Sequence, residues 1–139
     1  MKKYITLFFI LFMHACSTGP NFANQKLRAH DFSEKQLKSA DFSNAFLEKA
    51  NFKGANLQGV DFSNANLSAA EFDKAILINA DFDNADLSYA SFNDADLSGA
   101  DVKNAKNVIG IFYTKATKWP GSYKPTGGIC TDCNHTQNH

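Results

Sequence analysis

From Phe22 to Val102 an apolar residue returns at every fifth position, alternating Phe and Leu without a miss through Leu97. Two residues ahead of it stands Ala, from Ala40 to Ala105, with Val60 as the one exception. An α-helix repeats every 3.6 residues and a strand every two, so a strict five-residue period belongs to neither. The chain must therefore turn a corner every five residues.

One unit, Ala80-Asp81-Phe82-Asp83-Asn84, shows how. In a short extended stretch side chains alternate faces, so Ala80 and Phe82 point one way and Asp81 and Asp83 the other. The fifth residue belongs to the bend, and Asn44, Gly54, Gly59, Asn64, Asn79, Asn84, Asp94, Gly99 and Asn104 occupy this slot. Such residues tolerate unusual backbone angles or hydrogen-bond their own backbone. Repetition winds the chain into a coil with only Ala, Phe and Leu inside.

These residues resemble the pentapeptide repeat family, whose unit reads A-(D/N)-(L/F)-x-x. Ala55-Asn56-Leu57, Ala65-Asn66-Leu67, Ala80-Asp81-Phe82, Ala85-Asp86-Leu87 and Ala95-Asp96-Leu97 are near-perfect copies. The resemblance covers residues 22–105. It implies an all-β fold: a right-handed quadrilateral β-helix with 20 residues per coil, about four coils here, and a cap at each end. Folding by 20 stacks Phe42, Phe62 and Phe82 on one face, with Phe52, Phe72 and Phe92 opposite.

Before Ala40 the small inward position reads Gln25, His30 and Lys35, too large or polar for the tube, so 22–39 reads as an imperfect first coil that caps the N-terminal end. After Ala105 the period stops, and Val108, Ile109, Ile111, Phe112 and Tyr113 make an apolar run. Trp119-Pro120-Gly121-Ser122-Tyr123-Lys124-Pro125 resembles the family's closing segment. Residues 106–126 are expected to cap the last coil, directly or as a dimer contact, and 127–139 to form a flexible Cys/His tail.

The first 15 residues read as a targeting segment. Lys2 and Lys3 precede a run from Tyr4 to Met13 that is too short for the ~20 residues a bilayer span needs. Met13-His14-Ala15-Cys16 resembles the bacterial lipoprotein cleavage box, although Met13 and His14 depart from its usual residues. That resemblance implies cleavage after Ala15, acylation of Cys16, and a polar linker over 16–21. Ser17 after the Cys resembles the class sorted to an outer membrane where a cell has two. The expected address is the cell envelope, on the periplasmic side.

With Cys16 set aside, Cys130 and Cys133 remain, and the count favours one disulfide in an oxidising compartment. No strand–helix pattern supports a thioredoxin-like role. Haem attachment requires His directly after the second Cys, where Asn134 stands. Zinc held by Cys130, Cys133, His135 and His139 fits by ligand type, but the spacing is no zinc signature. No metal or cofactor is expected.

Charge balances at 14 basic against 14 acidic residues, which argues against a nucleic-acid binder working through a basic surface. Asp41, Asp61, Asp81 and Asp101 fall 20 apart and should stack about 4.8 Å apart on one outer face. Like charges so placed repel, so the column is either a strip for a cation, peptide or basic partner, or a set of turn-capping groups. Ile76 and Ile78 flank Leu77 as an exposed apolar patch, with Phe46 one face away. A side-chain-filled tube has no catalytic cleft, and the expected role is a non-catalytic, membrane-tethered interaction or scaffold module. The family resemblance also implies an alternative, a DNA-mimicking gyrase binder conferring quinolone tolerance. A third reading, a metal or redox protein built on the tail, rests on Cys130 and Cys133.

Overall fold

The computed structural model describes Gly19–Cys133. The five-residue units turn as the sequence requires. In each, the N–H of the Ala-position residue donates to the carbonyl of the preceding Phe or Leu, as in Ala45 N–H to Phe42 O at 3.1 Å. The residue between them at the third turn position has positive φ: 57° at Asn44, 58° at Asn64 and 56° at Asn84. That is the backbone signature of a type II turn.

Between turns, isolated parallel bridges link residues 20 apart and form four columns. They run Asn21–Asp41–Asp61–Asp81–Asp101, Lys26–Phe46–Asn66–Asp86–Lys106, Asp31–Asn51–Glu71–Ser91–Phe112 and Gln36–Asn56–Ile76–Asp96–Lys118. Main-chain hydrogen bonds run rung to rung, such as Phe62 N–H to Asp81 O at 2.8 Å and Asp61 N–H to Ala40 O at 3.0 Å. The coil is four-sided because four such units complete it.

Inside, every Phe and Leu from Phe42 to Leu97 is at most 2% exposed. Rings in one column stack at 5.1–5.4 Å, as in Phe42–Phe62, Phe62–Phe82 and Phe52–Phe72, and meet the neighbouring column edge-on, Phe42–Phe52 at 5.5 Å. Aromatic pairs prefer both arrangements, so the Phe columns interlock rather than merely coexist.

Both ends depart from the boundaries expected above. The linker does not extend to residue 21. Gly19 N–H donates to Ser39 O at 2.8 Å, Asp41 N–H donates to Pro20 O at 3.0 Å, and Asn21 pairs with Asp41. A Cβ at position 19 would strike the backbone of Lys38–Ala40, so glycine permits this close approach. Phe22 stacks on Phe42 at 4.6 Å, while Gln25, His30 and Lys35 stay exposed.

The ladder likewise continues past 105. Ser91 pairs with Phe112 and Asp96 with Lys118, so each step absorbs one inserted residue. Corner loops bulge while the rungs keep pairing, which masks the five-period in sequence. Trp119 packs on Phe92 at 5.8 Å and on Tyr123 at 5.7 Å, and Ile111 is buried. The tail expected from 127 is not free as far as it is described. Strand β1 (Phe112–Tyr113) pairs in parallel with β2 (Ile129–Cys130), and Thr131 N–H donates to Tyr113 O at 2.8 Å. Its exposed backbone groups find partners on β1, which an isolated tail would lack. Residues 134–139 lie outside the described residues, as do 1–18.

Candidate interaction surface

A filled tube leaves only outer faces and ends for function. The acidic column is assembled as the 20-residue spacing predicts: Asp41, Asp61, Asp81 and Asp101 pair in register. Each carboxylate also caps its own turn. Oδ1 accepts the N–H two residues on, from Ser43 at 2.9 Å, Ser63 at 2.8 Å, Asp83 at 2.8 Å and Lys103 at 3.1 Å. Asn51, Asn66, Asp86 and Asp96 do the same in the other columns. Turn capping accounts for an Asp or Asn here, and one carboxylate oxygen per rung still faces outward.

Elsewhere the rungs are tied by amide side chains. Asn51 Nδ2 donates to Asp31 Oδ1 and Asn56 Nδ2 to Gln36 Oε1, both at 3.1 Å. The uninterrupted Asp column has no such donor between Asp61 and Asp101 among the described side-chain bonds, so repulsion along it is unrelieved by neighbours in the column.

Two other carboxylates sit in donor clusters. Partial burial raises the Asp86 carboxyl. Hydrogen bonds from the Ser88 backbone and hydroxyl and from Asn107, with Lys106 nearby, outweigh it and hold the group below the ordinary carboxylate range. The Ser98 hydroxyl and then Lys118, at 2.9 Å, lower Asp96 in the same sense.

Ile76 is exposed and Ile78 half-buried, together on one side as expected. Phe46, however, is not one face away. It lies in the Lys26–Lys106 column, two columns from Ile76 and so on the opposite side of the coil. Its separation from Ile76 is 30 residues, one and a half coils, and that arithmetic was legible in the sequence. Near Phe46's face stand Tyr89 and Ile109, 62% and 67% exposed, joined through Tyr89 N–H to Ile109 O at 3.2 Å. The sequence reading had separated them, because Ile109 lies beyond the last regular unit.

At the C-terminal end Cys130 and Cys133 form a disulfide, with Cα atoms 5.3 Å apart. Their sulfurs and an Asp132 carboxylate oxygen lie within 4.8 Å of one another. Two sulfurs bonded to each other are not thiolates and do not serve as zinc ligands in this state. Asp132 instead accepts the Lys115 N–H at 2.7 Å. His135, His139 and the acylation candidate Cys16 lie outside the described residues. Shallow clefts occur in the cap. One of about 300 Å³ is lined by Ala100, Val102, Lys103, Pro120, Ser122 and Tyr123, and none of these supplies a nucleophile–base pair.

No curated protein matches the chain. Among solved structures, HetL from the cyanobacterium Nostoc sp. strain PCC 7120, a pentapeptide repeat protein involved in heterocyst differentiation regulation, is 24% identical with a TM-score of 0.53. That match covers 71% of this chain and 47% of HetL, so the chain spans about half of HetL's length. A pentapeptide repeat protein of the Arabidopsis thaliana thylakoid lumen is 28% identical, with 80% of this chain and 58% of that one covered and a TM-score of 0.40. QnrB1, a plasmid-mediated fluoroquinolone resistance protein, is 22% identical, with 83% and 66% covered and a TM-score of 0.48. The family model for pentapeptide repeats matches eight copies across residues 21–54, 31–68 and 65–104, more than half of the chain. The chain therefore belongs to the pentapeptide repeat family, and its four-sided column is that family's right-handed quadrilateral β-helix.

Proposed function

We propose that this protein is a non-catalytic interaction module of the bacterial cell envelope, tethered to a membrane through acylated Cys16. The observation that carries the non-catalytic half is the filled interior. From Ala40 to Leu97 every inward position is Ala, Val, Phe or Leu and is buried, so specificity must reside on outer side chains. Pentapeptide repeat proteins are in general structural and interaction proteins. The tether is supported by Lys2, Lys3, the short apolar run and Met13-His14-Ala15-Cys16. The candidate contacts are the outward oxygens of Asp41, Asp61, Asp81 and Asp101 and the Ile76–Ile78 patch. An apolar spot beside an ordered charge column gives a partner both an anchor and a register.

The test is a photo-crosslinker placed at Ile76 or Asp81 in intact cells, with the same probe at exposed Lys49 as the comparison. One discrete partner captured from the first two positions and not from Lys49 supports the reading. Equal, diffuse capture from all three sinks it. Mass spectrometry of the mature N-terminal peptide checks the tether, which requires a thioether-linked acyl group on Cys16. The acidic column supports a second reading, in which the face imitates the charge of a nucleic-acid backbone for a cytoplasmic DNA-binding partner. A cytoplasmic pool that retains residues 1–15 is the outcome that favours it.

A further inference from the structure

The N-terminal end of the column carries an orientation. Gly19, Pro20 and Asn21 are already hydrogen-bonded or paired to the rung above, and Gly19 is wedged against the backbone of Lys38–Ala40. Only Ser17 and Thr18 separate that fixed point from Cys16. Three Cα steps span at most about 11 Å even when fully extended. An acyl chain on Cys16 therefore holds the first rung at the headgroup level. A long flexible stalk is excluded by chain length alone.

The first rung is also chemically distinct. Residues 19–39 carry Lys26, Arg28, Lys35 and Lys38 against Asp31 and Glu34, and all four cations are exposed. Phe22 and Leu27, buried in later equivalents, are half-buried here. Higher in the column the balance reverses, with eight acidic residues against one Lys from Glu71 to Asp101. Asp81 stands three rungs above Asn21, about 14 Å, which exceeds the ~8 Å screening length at physiological salt. With the N-terminal rung down, an anionic surface meets cations and is screened from the acidic belt. With the column lying on its side, the Asp column or its neighbours would approach that surface. After cleavage the mature chain retains only Cys16–Thr18 ahead of Gly19, too few residues to cover a rung that takes 20. The outward N–H groups of Asn21, Lys26, Asp31 and Gln36 then face headgroup oxygens and water.

We infer that the N-terminal rung is a lipid-facing seat: Lys26, Lys35 and Lys38 rest on anionic phospholipid headgroups, and the column stands end-on with its four outer columns facing sideways. The inference rests on the tethered reading given above and adds a docking face and an orientation to it.

Lysine footprinting tests it with the full-length protein purified from membranes in its processed form. The protein is reconstituted in phosphatidylcholine vesicles with or without phosphatidylglycerol, labelled with an amine-reactive reagent, and compared with the same protein in detergent. Lys26, Lys35 and Lys38 are expected to lose reactivity by at least about threefold in vesicles containing phosphatidylglycerol, and by less in phosphatidylcholine alone. Lys103, Lys106 and Lys124, at the opposite end and exposed, should not change. Uniform protection, protection of the C-terminal lysines, or no protection overturns the seat. So does protection of Lys26 and Lys35 that persists in detergent together with a crosslinked dimer, which would assign this end to a second copy of the chain. The same spectra read the N-terminal peptide. An unmodified Cys16 removes the tether and the seat together, whereas an acylated Cys16 with uniform lysine reactivity overturns the seat alone.

Discussion

At the scale of single residues, the bend position carries the clearest cost. Lys74 has φ 59° and is exposed, yet a left-handed backbone costs an L-residue roughly 1–2 kcal/mol. Gly54, Gly59 and Gly99 occupy the equivalent slot without that penalty. Lys74→Gly should therefore stabilise the protein by about 0.5–1 kcal/mol, the steric relief less the extra entropy glycine loses on folding. Thermal denaturation measures it, and an unchanged or lower midpoint would contradict the bend assignment. Asp86 gives a second residue-level expectation. Its folded carboxyl lies below the unfolded value of 3.8, so the native state binds fewer protons there. Its stabilisation is complete above that value and is lost as pH falls through it toward the folded one. Asp86→Asn should flatten the acid limb of a stability–pH curve below pH ~4 while leaving neutral-pH behaviour less affected.

At the scale of the element, the unit is a rung side rather than a strand: one bridge residue, one inward apolar residue and a two-residue turn. No side is stable alone, because its hydrogen bonds and ring contacts come from the coil above and below. Phe62 illustrates this, stacked between Phe42 at 5.3 Å and Phe82 at 5.4 Å and meeting Phe52 edge-on at 5.5 Å. Phe62→Ala removes all of these contacts and leaves a cavity that rigid coils cannot close. The expected cost is about 3–5 kcal/mol by chemical denaturation. A cost near 1 kcal/mol would show that the interior is not packed as described.

For the whole molecule, a solenoid is held by nearest neighbours, so its ends decide where opening starts. The N-terminal end shows polar and half-buried residues. The C-terminal end is covered by Trp119, Tyr123 and the β1–β2 rung, with the Thr117 hydroxyl donating to Phe92 O at 2.8 Å. Trp119→Ala should cost about 2 kcal/mol, less than a fully buried Trp because the side chain is only half-buried. Hydrogen exchange should accelerate first in residues 86–102 and last in 42–57. Uniform acceleration would instead indicate a single all-or-none unit. End-on seating on a membrane belongs to this scale as well, since it follows from the short reach between Cys16 and Gly19 and from charge distributed along the axis.

The sequence by itself determined the corner every five residues, the Ala and Phe/Leu interior and the register of the Asp column. All three follow from local rules: alternation of side chains, the turn chemistry of Asn and Gly, and a constant number of residues per coil. The tertiary structure alone decided how far the ladder runs. Gly19–Asn21 join it by close backbone contact, and Phe112 and Lys118 join it despite an inserted residue at each step. Ile129–Cys130 add a rung only 17 residues after their partners. Stacking rewards any segment that can offer matching donors and acceptors, whatever its spacing, and spacing is what a sequence period records. Tyr89 meets Ile109 for the same reason: their contact depends on a bulged corner, and no repeat in the chain announces it.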